Sequence, residues 1–246
     1  MDMTAGWKWD KTLFEGTAAF YRGGRILAPL FGEVVGIDAD AGMIAEAEQW
    51  AEGAGVGAKT RWLRMRAEDL PAGLGEFDAV TFGQSFHWVD RDVVPATVRD
   101  MLRPGGALVH VADWQAEMRT VDGLPHPAIP YGAIEDLVKQ YLGPVRRAGQ
   151  GTLPNGTPGD EVEVLARAGF EGPDQHIVRG GQHLVRTEDD VVAWTYSLSY
   201  AAPHLFGERR DDFETDLRRM LRAESPSGLF SERQASAEVR IWYTTD

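Results

Sequence analysis

The chain has 246 residues, which is enough for one α/β domain with an inserted cap and a single hydrophobic core. It contains no cysteine, and this excludes disulfides, thiolate metal sites and a cysteine nucleophile. The formal net charge of -13 would repel nucleic-acid phosphates, so we expect a small-molecule substrate and no nucleic-acid partner.

The chain shows no signal-peptide core at its start and no apolar run of membrane-span length. We therefore expect a cytoplasmic protein with no membrane partner, and the sequence leaves its oligomeric state unknown. Residues 1–25 are irregular and rich in aromatic side chains, which either fold over a site or pack on a neighbour.

Strands and helices alternate in the first half of the chain. The first clear strand, Glu33–Ile37, ends at Asp38 and is apolar enough for a buried parallel strand. A helix is predicted over about 41–52, with a buried face formed by Met43, Ala47, Trp50 and Ala51. Further strands are predicted at 60–64, 77–82 and 107–112, and a helix at 92–102 that stops at Pro104-Gly105-Gly106. This alternation predicts an α/β fold with a mostly parallel sheet and flanking helices.

The regular alternation fades after Asp113. Helices are predicted at 131–142, 159–168, 188–199 and 209–222, the third with Thr187 as N-cap and Asp190 at the capping-box position. A last strand is predicted at 237–243, with one face formed by Val239, Ile241 and Tyr243. We therefore predict three parts: a core over 1–113, a helical cap and substrate region over 114–205, and a helix and strand over 206–246 that complete the sheet.

Polar residues follow the predicted strands, and ligands of open α/β sheets bind beyond the carboxyl ends of strands. Asp38 could accept both hydroxyl hydrogens of a ribose, or it could cap the next helix. Asp69, which follows Glu68, either accepts a hydrogen bond from an adenine amino group or belongs to a solvated acidic loop. His87, beside Trp88, is either a general base or a structural hydrogen-bonding residue. The other five histidines form no ligand pair, so we expect no metal.

Four segments, in this order and spacing, resemble the motifs of class I methyltransferases of the methyltransferase-11 type, which use S-adenosyl-L-methionine (SAM). Phe31–Met43 resembles their second-strand motif, and Ala67–Pro71 resembles their adenine-side motif. Phe77–Val80 with Gln84–Asp90 resembles their fourth strand and the signature after it, and Leu102–Gly106 resembles the turn before their fifth strand. In the C-terminal half, residues 169–170, 187–192 and 225–230 are also similar to the family. The resemblance implies a Rossmann-like fold, SAM as cofactor, and an enzyme that methylates an unidentified small-molecule acceptor.

Carried over to this chain, the resemblance implies a role for each matching residue. Asp38 would bind the SAM ribose, and Ala39 and Met43 would line the adenosine pocket. Glu68 and Asp69 would face the adenine, and Gln84 would lie near the sulfonium and the substrate. The acceptor site would be bordered by Trp88 and by His87, the candidate catalytic residue.

One part of the family pattern is missing. The family begins with a helix, a strand and a D-x-G-x-G-x-G loop, which lets the backbone approach the methionine part of SAM. Here Tyr21–Arg25 runs directly into Ile26–Phe31, where the family has a unit of roughly 30–40 residues. A true deletion would remove a central strand and weaken SAM binding. The alternative is that the sequence skips residues between Arg25 and Ile26, and a normal peptide bond at that junction would exclude it.

Two other functions fit parts of the sequence. Gly83–His87 partly resembles the G-x-S-x-G elbow of α/β-hydrolases, with Ser85 as nucleophile, although His87 replaces the second glycine. The chain could also be a non-catalytic binding protein that keeps the fold without the cofactor loop, which a titration with SAM would reveal. The aromatic residues of 114–205 suit either an apolar acceptor or a helical core.

Overall fold

The structure is a computed structural model that describes residues 9–16, 29–113, 123–145, 147–148, 151–152, 159–198 and 200–244. Its strands are β1 (Trp9–Gly16), β2 (Phe31–Asp38), β3 (Thr60–Arg64), β4 (Phe77–Gly83), β5 (Leu102–Asp113), β6 (Arg147–Ala148), β7 (Gly151–Thr152), β8 (Phe170–Val178), β9 (His183–Thr187), β10 (Leu229–Arg233) and β11 (Ala237–Thr244). Its α-helices are α1 (Ala41–Gly53), α2 (Val94–Met101), α3 (Tyr131–Leu142), α4 (Glu161–Arg167), α5 (Glu188–Ser197), α6 (Pro203–Phe206) and α7 (Arg210–Glu224). Single 3₁₀ turns are formed by Gly57–Lys59, Ala67–Asp69, Phe86–Trp88 and Gly207–Arg209.

Among the described residues, the main sheet has seven strands in the order β3-β2-β1-β4-β5-β11-β8. The pairs β2/β3, β1/β2, β1/β4 and β4/β5 are parallel. Two small antiparallel pairs, β9/β10 and β6/β7, are separate from it. The α/β class predicted from the sequence is therefore confirmed.

The centre of the sheet is formed by β1, which pairs with β2 on one side and with β4 on the other. The sequence predicted no strand before Glu33, and for Trp9–Gly16 the prediction of an irregular segment is wrong. Backbone hydrogen bonds from two neighbouring strands can stabilise a strand whose own sequence shows no strand pattern. The Arg25–Ile26 junction lies outside the described residues.

The chain divides into two compact units, 1–112 with 158–176 and 238–246, and 113–157 with 177–237. In the first unit, the core beneath β4 and β5 includes Phe77, Phe82, Leu108, Leu165 and Trp242, all almost fully buried. In the second unit, helices α3, α5, α6 and α7 share a core that includes Ile134, Val191, Phe206, Phe213 and Leu217. The cap and substrate role predicted for 114–205 stays a prediction.

Candidate functional site

The turn from β2 into α1 is organised by two aspartates with different tasks. Asp40 is the N-cap of α1, because one of its carboxylate oxygens accepts the N–H of Gly42 at 2.7 Å and of Met43 at 3.1 Å. Asp38 ends β2, and its Oδ1 accepts the N–H of Asp40 at 2.7 Å. Helix capping is thus the task of Asp40, and the half-buried Asp38 carboxylate stands at the carboxyl end of the strand.

The end of β2 is fixed by β3. The Asp38 carbonyl accepts the N–H of Met65 at 2.9 Å, and the Ala39 carbonyl accepts Nε of Arg64 at 3.4 Å. Two pairs before Asp38, Gly36 lies opposite Trp62 and leaves the space that the indole ring fills. These contacts hold Asp38 and Ala39 in a defined position at the edge of the sheet.

Glu68 and Asp69 lie on the 3₁₀ turn after β3, and both carboxylates accept hydrogen bonds within the protein. Glu68 Oε2 accepts Nε of Arg66 at 3.1 Å, and Glu68 Oε1 accepts the backbone N–H of Asp90 at 2.9 Å. Asp69 Oδ2 accepts the N–H of Arg66 at 3.1 Å, which closes the turn. Glu68 therefore ties this turn to the segment that carries His87 and Trp88.

Gln84 follows directly after β4 and has a φ of 60°. A positive φ is uncommon for a residue with a side chain, and such backbone strain is concentrated at functional sites. The N–H of Gln84 donates to the Val111 carbonyl at 3.1 Å, which fixes it beside the end of β5.

His87 and Trp88 lie on the turn Phe86–Trp88, with ring centroids 4.8 Å apart. Both are half-buried, while Phe86 points into the core and is 3% exposed. The Trp88 N–H donates to the Ser85 carbonyl at 2.8 Å and closes the turn. The hydrolase hypothesis finds little support in this geometry. An elbow nucleophile is exposed at a strained residue, whereas Ser85 is 5% exposed and the positive φ belongs to Gln84.

The carboxyl ends of β2 and β4 lie at the same edge of the sheet, and only β1 lies between the two strands. Gly16, the last residue of β1, is in register with Gly83, and Glu15 pairs with Ile37. Two strand spacings place the backbones at Asp38 and Gln84 about 10 Å apart along the sheet edge. The structure thus brings together Asp38, Ala39 and Met43 on one side and Gln84 on the other, and it links the Glu68 turn to Asp90.

The sequence analysis missed His110 on β5, which is 7% exposed and lies against Phe86. The sequence pattern could have indicated it, because Leu108 and His110 are two residues apart in an apolar strand and therefore lie on the same, core-facing side. A histidine on such a face needs a partner from elsewhere in the chain. That partner, Glu161, lies on α4, with its Oε2 3.7 Å from Nδ1 of His110.

Carboxylates cluster on the loops at this edge of the sheet, where Asp38, Asp40, Glu68, Asp69 and Asp90 all lie close to the ends of β2, β3 and β4. This charge suits a cationic or hydroxyl-rich ligand. Within the part of the chain that the structure describes, no group of three or more His, Asp or Glu side chains could hold a metal ion. None of the described helices is both long and apolar enough to cross a membrane.

A mostly parallel arrangement with polar groups beyond the carboxyl ends of adjacent strands is typical of nucleotide-binding α/β proteins. Residues 22–110 match the family model described as "Methyltransferase domain". Over these residues the chain is similar to a methyltransferase domain. No curated protein matches the sequence.

Solved structures similar to this chain share its fold at low identity. A Bacillus halodurans protein named as a methyltransferase is 15% identical, with a TM-score of 0.54 over 98% of this chain and 96% of its own. The N-methyltransferase NodS of Bradyrhizobium japonicum is 11% identical, with a TM-score of 0.51 over 97% of this chain and 88% of its own. The cyclase SpnF is 16% identical, with a TM-score of 0.52 over 99% of this chain and 79% of its own.

Proposed function

We propose that this protein transfers a methyl group from SAM to a small-molecule acceptor, on a Rossmann-like, mostly parallel sheet with a helical cap. The observation that carries the proposal is the pairing of Asp38, at the carboxyl end of β2, with the strained Gln84 after β4, on either side of β1. A nucleoside whose ribose lies at Asp38 can extend its other end across β1 toward Gln84, because ligands of such sheets lie along this edge.

The side chains at the start of α1 fit the adenosine half of SAM. Asp38 is held in one orientation by the Asp40 N–H, and a carboxylate is the group that can accept both hydroxyl hydrogens of a ribose diol. Ala39 is exposed and Met43 is half-buried, and together they offer an apolar surface beside that carboxylate. We propose that these three residues bind the ribose and the adenosine.

The adenine would lie against the turn Ala67–Asp69. Both oxygens of Glu68 are engaged within the protein, so its role is to hold the turn toward Asp90 while its remaining lone pairs face the ligand. Asp69 is exposed and can accept from the adenine amino group in addition to the Arg66 N–H.

SAM supplies a sulfonium-bound methyl group that is already a strong electrophile. The residues of this chain therefore need only orient donor and acceptor and exclude water. We propose that Gln84 positions the acceptor near the sulfonium, that Trp88 borders the acceptor, and that His87 removes the acceptor proton.

Isothermal titration with S-adenosyl-L-homocysteine, the demethylated product, tests the site. Asp38→Asn removes the charge at nearly constant volume and should weaken binding by roughly 10- to 100-fold, the loss expected for hydrogen bonds to a charged group. Asp100→Asn, on the exposed face of α2, is the matched control and should change the Kd by no more than about twofold. Equal affinities of Asp38→Asn and the unaltered protein would contradict the assignment.

A second candidate is a binding protein that keeps the fold without catalysis. It is favoured by the sequence between β1 and β2, which contains Gly23-Gly24 but no D-x-G-x-G-x-G loop. Binding of SAM or its product without methyl transfer to any member of an acceptor panel would support this candidate.

A further inference from the structure

A buried histidine, His110, lies beneath the turn that carries His87 and Trp88. The His110 ring is 4.4 Å from the Phe86 ring, 4.7 Å from the Trp242 ring and 5.8 Å from the Phe82 ring, measured between centroids. Phe86 is the first residue of the turn Phe86–Trp88. The imidazole is therefore part of the surface on which this turn rests.

Two consecutive carboxylates at the start of α4 hold the groups that contact Phe86. Asp160 Oδ1 accepts Nη1 of Arg91 at 2.6 Å, and the Arg91 guanidinium carbon lies 5.4 Å from the Phe86 ring centroid. Glu161 Oε2 lies 3.7 Å from His110 Nδ1. The start of α4 therefore contacts two groups that pack on the Phe86 ring, the Arg91 guanidinium and the His110 imidazole.

We propose that His110 is a positioning residue for the acceptor side of the site. In its neutral form it supports the Phe86 ring, jointly with Arg91, and thereby fixes the turn that presents His87 and Trp88. It would touch neither cofactor nor acceptor, and it would act only through Phe86.

The neutral form is required by the surroundings of His110. Burial lowers the pKa of the imidazole below its ordinary value, an effect that Glu161 opposes only in part. The charged groups that face it are Glu161 from α4, Arg240 from β11 and Arg91 from the segment before α2, and both arginines disfavour a second cation. Nε2 is buried and has no hydrogen-bond partner among the described residues, so a proton placed there would be poorly solvated. Acid should therefore loosen the turn before it unfolds the protein.

The link from this turn to the acceptor rests on the proposed function, but the support of the turn by His110 does not. Hydrogen exchange of a peptide that spans 84–92, read by mass spectrometry on the full chain, tests the support directly. Between about pH 7.5 and about pH 5, after correction for intrinsic exchange, the protection factor should fall, because the open turn binds the His110 proton more tightly than the closed turn does. His110→Phe keeps an aromatic ring without a titrating nitrogen, and it should retain the neutral protection and lose the acid response.

The Glu161→Gln variant tests the direction in which the loss of hydrogen-exchange protection in acid changes. Without the carboxylate that favours the protonated imidazole, the pKa of His110 in the closed turn is lowered further. The loss of protection in acid should therefore become larger and extend to lower pH, while its onset stays that of the open turn. Glu163→Gln, on the exposed side of the same helix, is the matched control and should leave the response in place. A His110→Phe variant that loses protection in acid as the unaltered protein does would overturn the proposal, as would a Glu161→Gln variant whose loss of protection in acid is no larger than that of the unaltered protein.

Steady-state kinetics of methyl transfer test whether the turn positions the acceptor. The KM for the methylated acceptor should rise in acid for the unaltered protein and stay flat for His110→Phe, while the Kd for S-adenosyl-L-homocysteine stays the same in both. Failure to detect any methyl transfer would count against the proposed function alone, because the hydrogen-exchange result stands without it. A KM that rises in acid equally in both proteins would refute the positioning role in acceptor binding.

Discussion

Gly36→Ala should destabilise the protein because the new methyl group has no room. An added Cβ would lie 2.1 Å from Cε3 and Cζ3 of Trp62, the residue directly opposite in β3. Overpacking of this kind costs about 1–3 kcal/mol, and replacing glycine in a strand interior returns about 0.5–1 kcal/mol, so the free energy of unfolding should fall by up to about 2.5 kcal/mol. For a chain of this size each kcal/mol corresponds to about 2–4 °C in Tm.

Gly53→Ala is the matched control, because a Cβ added at the last residue of α1 meets no atom within 4 Å. It should be neutral or stabilising by up to about 1 kcal/mol, so the two alanine variants should differ in sign when measured by urea unfolding. In a Trp62→Leu background the penalty of Gly36→Ala should shrink, since the clashing ring is gone. A stabilising Gly36→Ala, or a penalty that Trp62→Leu leaves unchanged, would refute this account of how β2 and Asp38 are held.

Three further outcomes follow from named contacts. Asp40→Ala removes the N-cap of α1 and should cost about 1 kcal/mol in urea unfolding, most of which Asp40→Ser should restore; an unchanged midpoint would show that the cap is dispensable. Phe213→Ala, at a fully buried position of α7, should cost about 3–5 kcal/mol, and a loss below about 1 kcal/mol would contradict the packing of that core. Because the pKa of His110 is lowered on folding, the unfolded chain binds its proton first. The free energy of unfolding should therefore fall as pH drops below about 6.5, and pH-dependent urea titrations of His110→Phe should lack this component.

The sequence predicted the elements whose apolar pattern is strong. The helices at 131–142 and 209–222 and the last strand are confirmed within one or two residues. The capping box of Thr187 and Asp190 is also confirmed, with the Asp190 N–H donating to Thr187 Oγ1 at 3.1 Å. These features are local, so a few neighbouring residues determine them.

The prediction for the buried face of α1 was partly wrong. Ile44, Ala47 and Ala51 are buried, while Trp50 is 40% exposed and donates from Nε1 to Glu46. Apolar residues lie on several sides of this helix, so its periodicity did not define one face. The strand β8 was missed for a related reason, since only Phe170 of its nine residues is buried and no alternation marks it.

The β5 strand begins earlier than the sequence predicted. Leu102 pairs with Phe77, and the register then shifts before Ala79, so the Pro104-Gly105-Gly106 segment lies within the strand as an irregularity with Gly105 at a φ of 74°. Proline and glycine mark both turns and strand irregularities, and only the pairing partner distinguishes the two.

The candidate site was predictable in its positions but not in its contacts. The apolar runs in the sequence predicted where β2 and β4 end, and they therefore located Asp38 and Gln84 at the carboxyl ends of these strands. The strained φ of Gln84 and the tie from Glu68 to the Asp90 N–H depend on the path of the backbone between elements. The pairing of His110 with Glu161 joins residues far apart in the chain, and no local pattern reports such a contact.

A crystal structure determined with S-adenosyl-L-homocysteine tests the central claim most directly. The account predicts density for the ribose within hydrogen-bond distance of the Asp38 carboxylate, the adenine against the turn Ala67–Asp69, and the sulfur on the Gln84 side of β1. Density for the ligand away from the carboxyl ends of β2 and β4, or none at a concentration that saturates calorimetric binding, would contradict it.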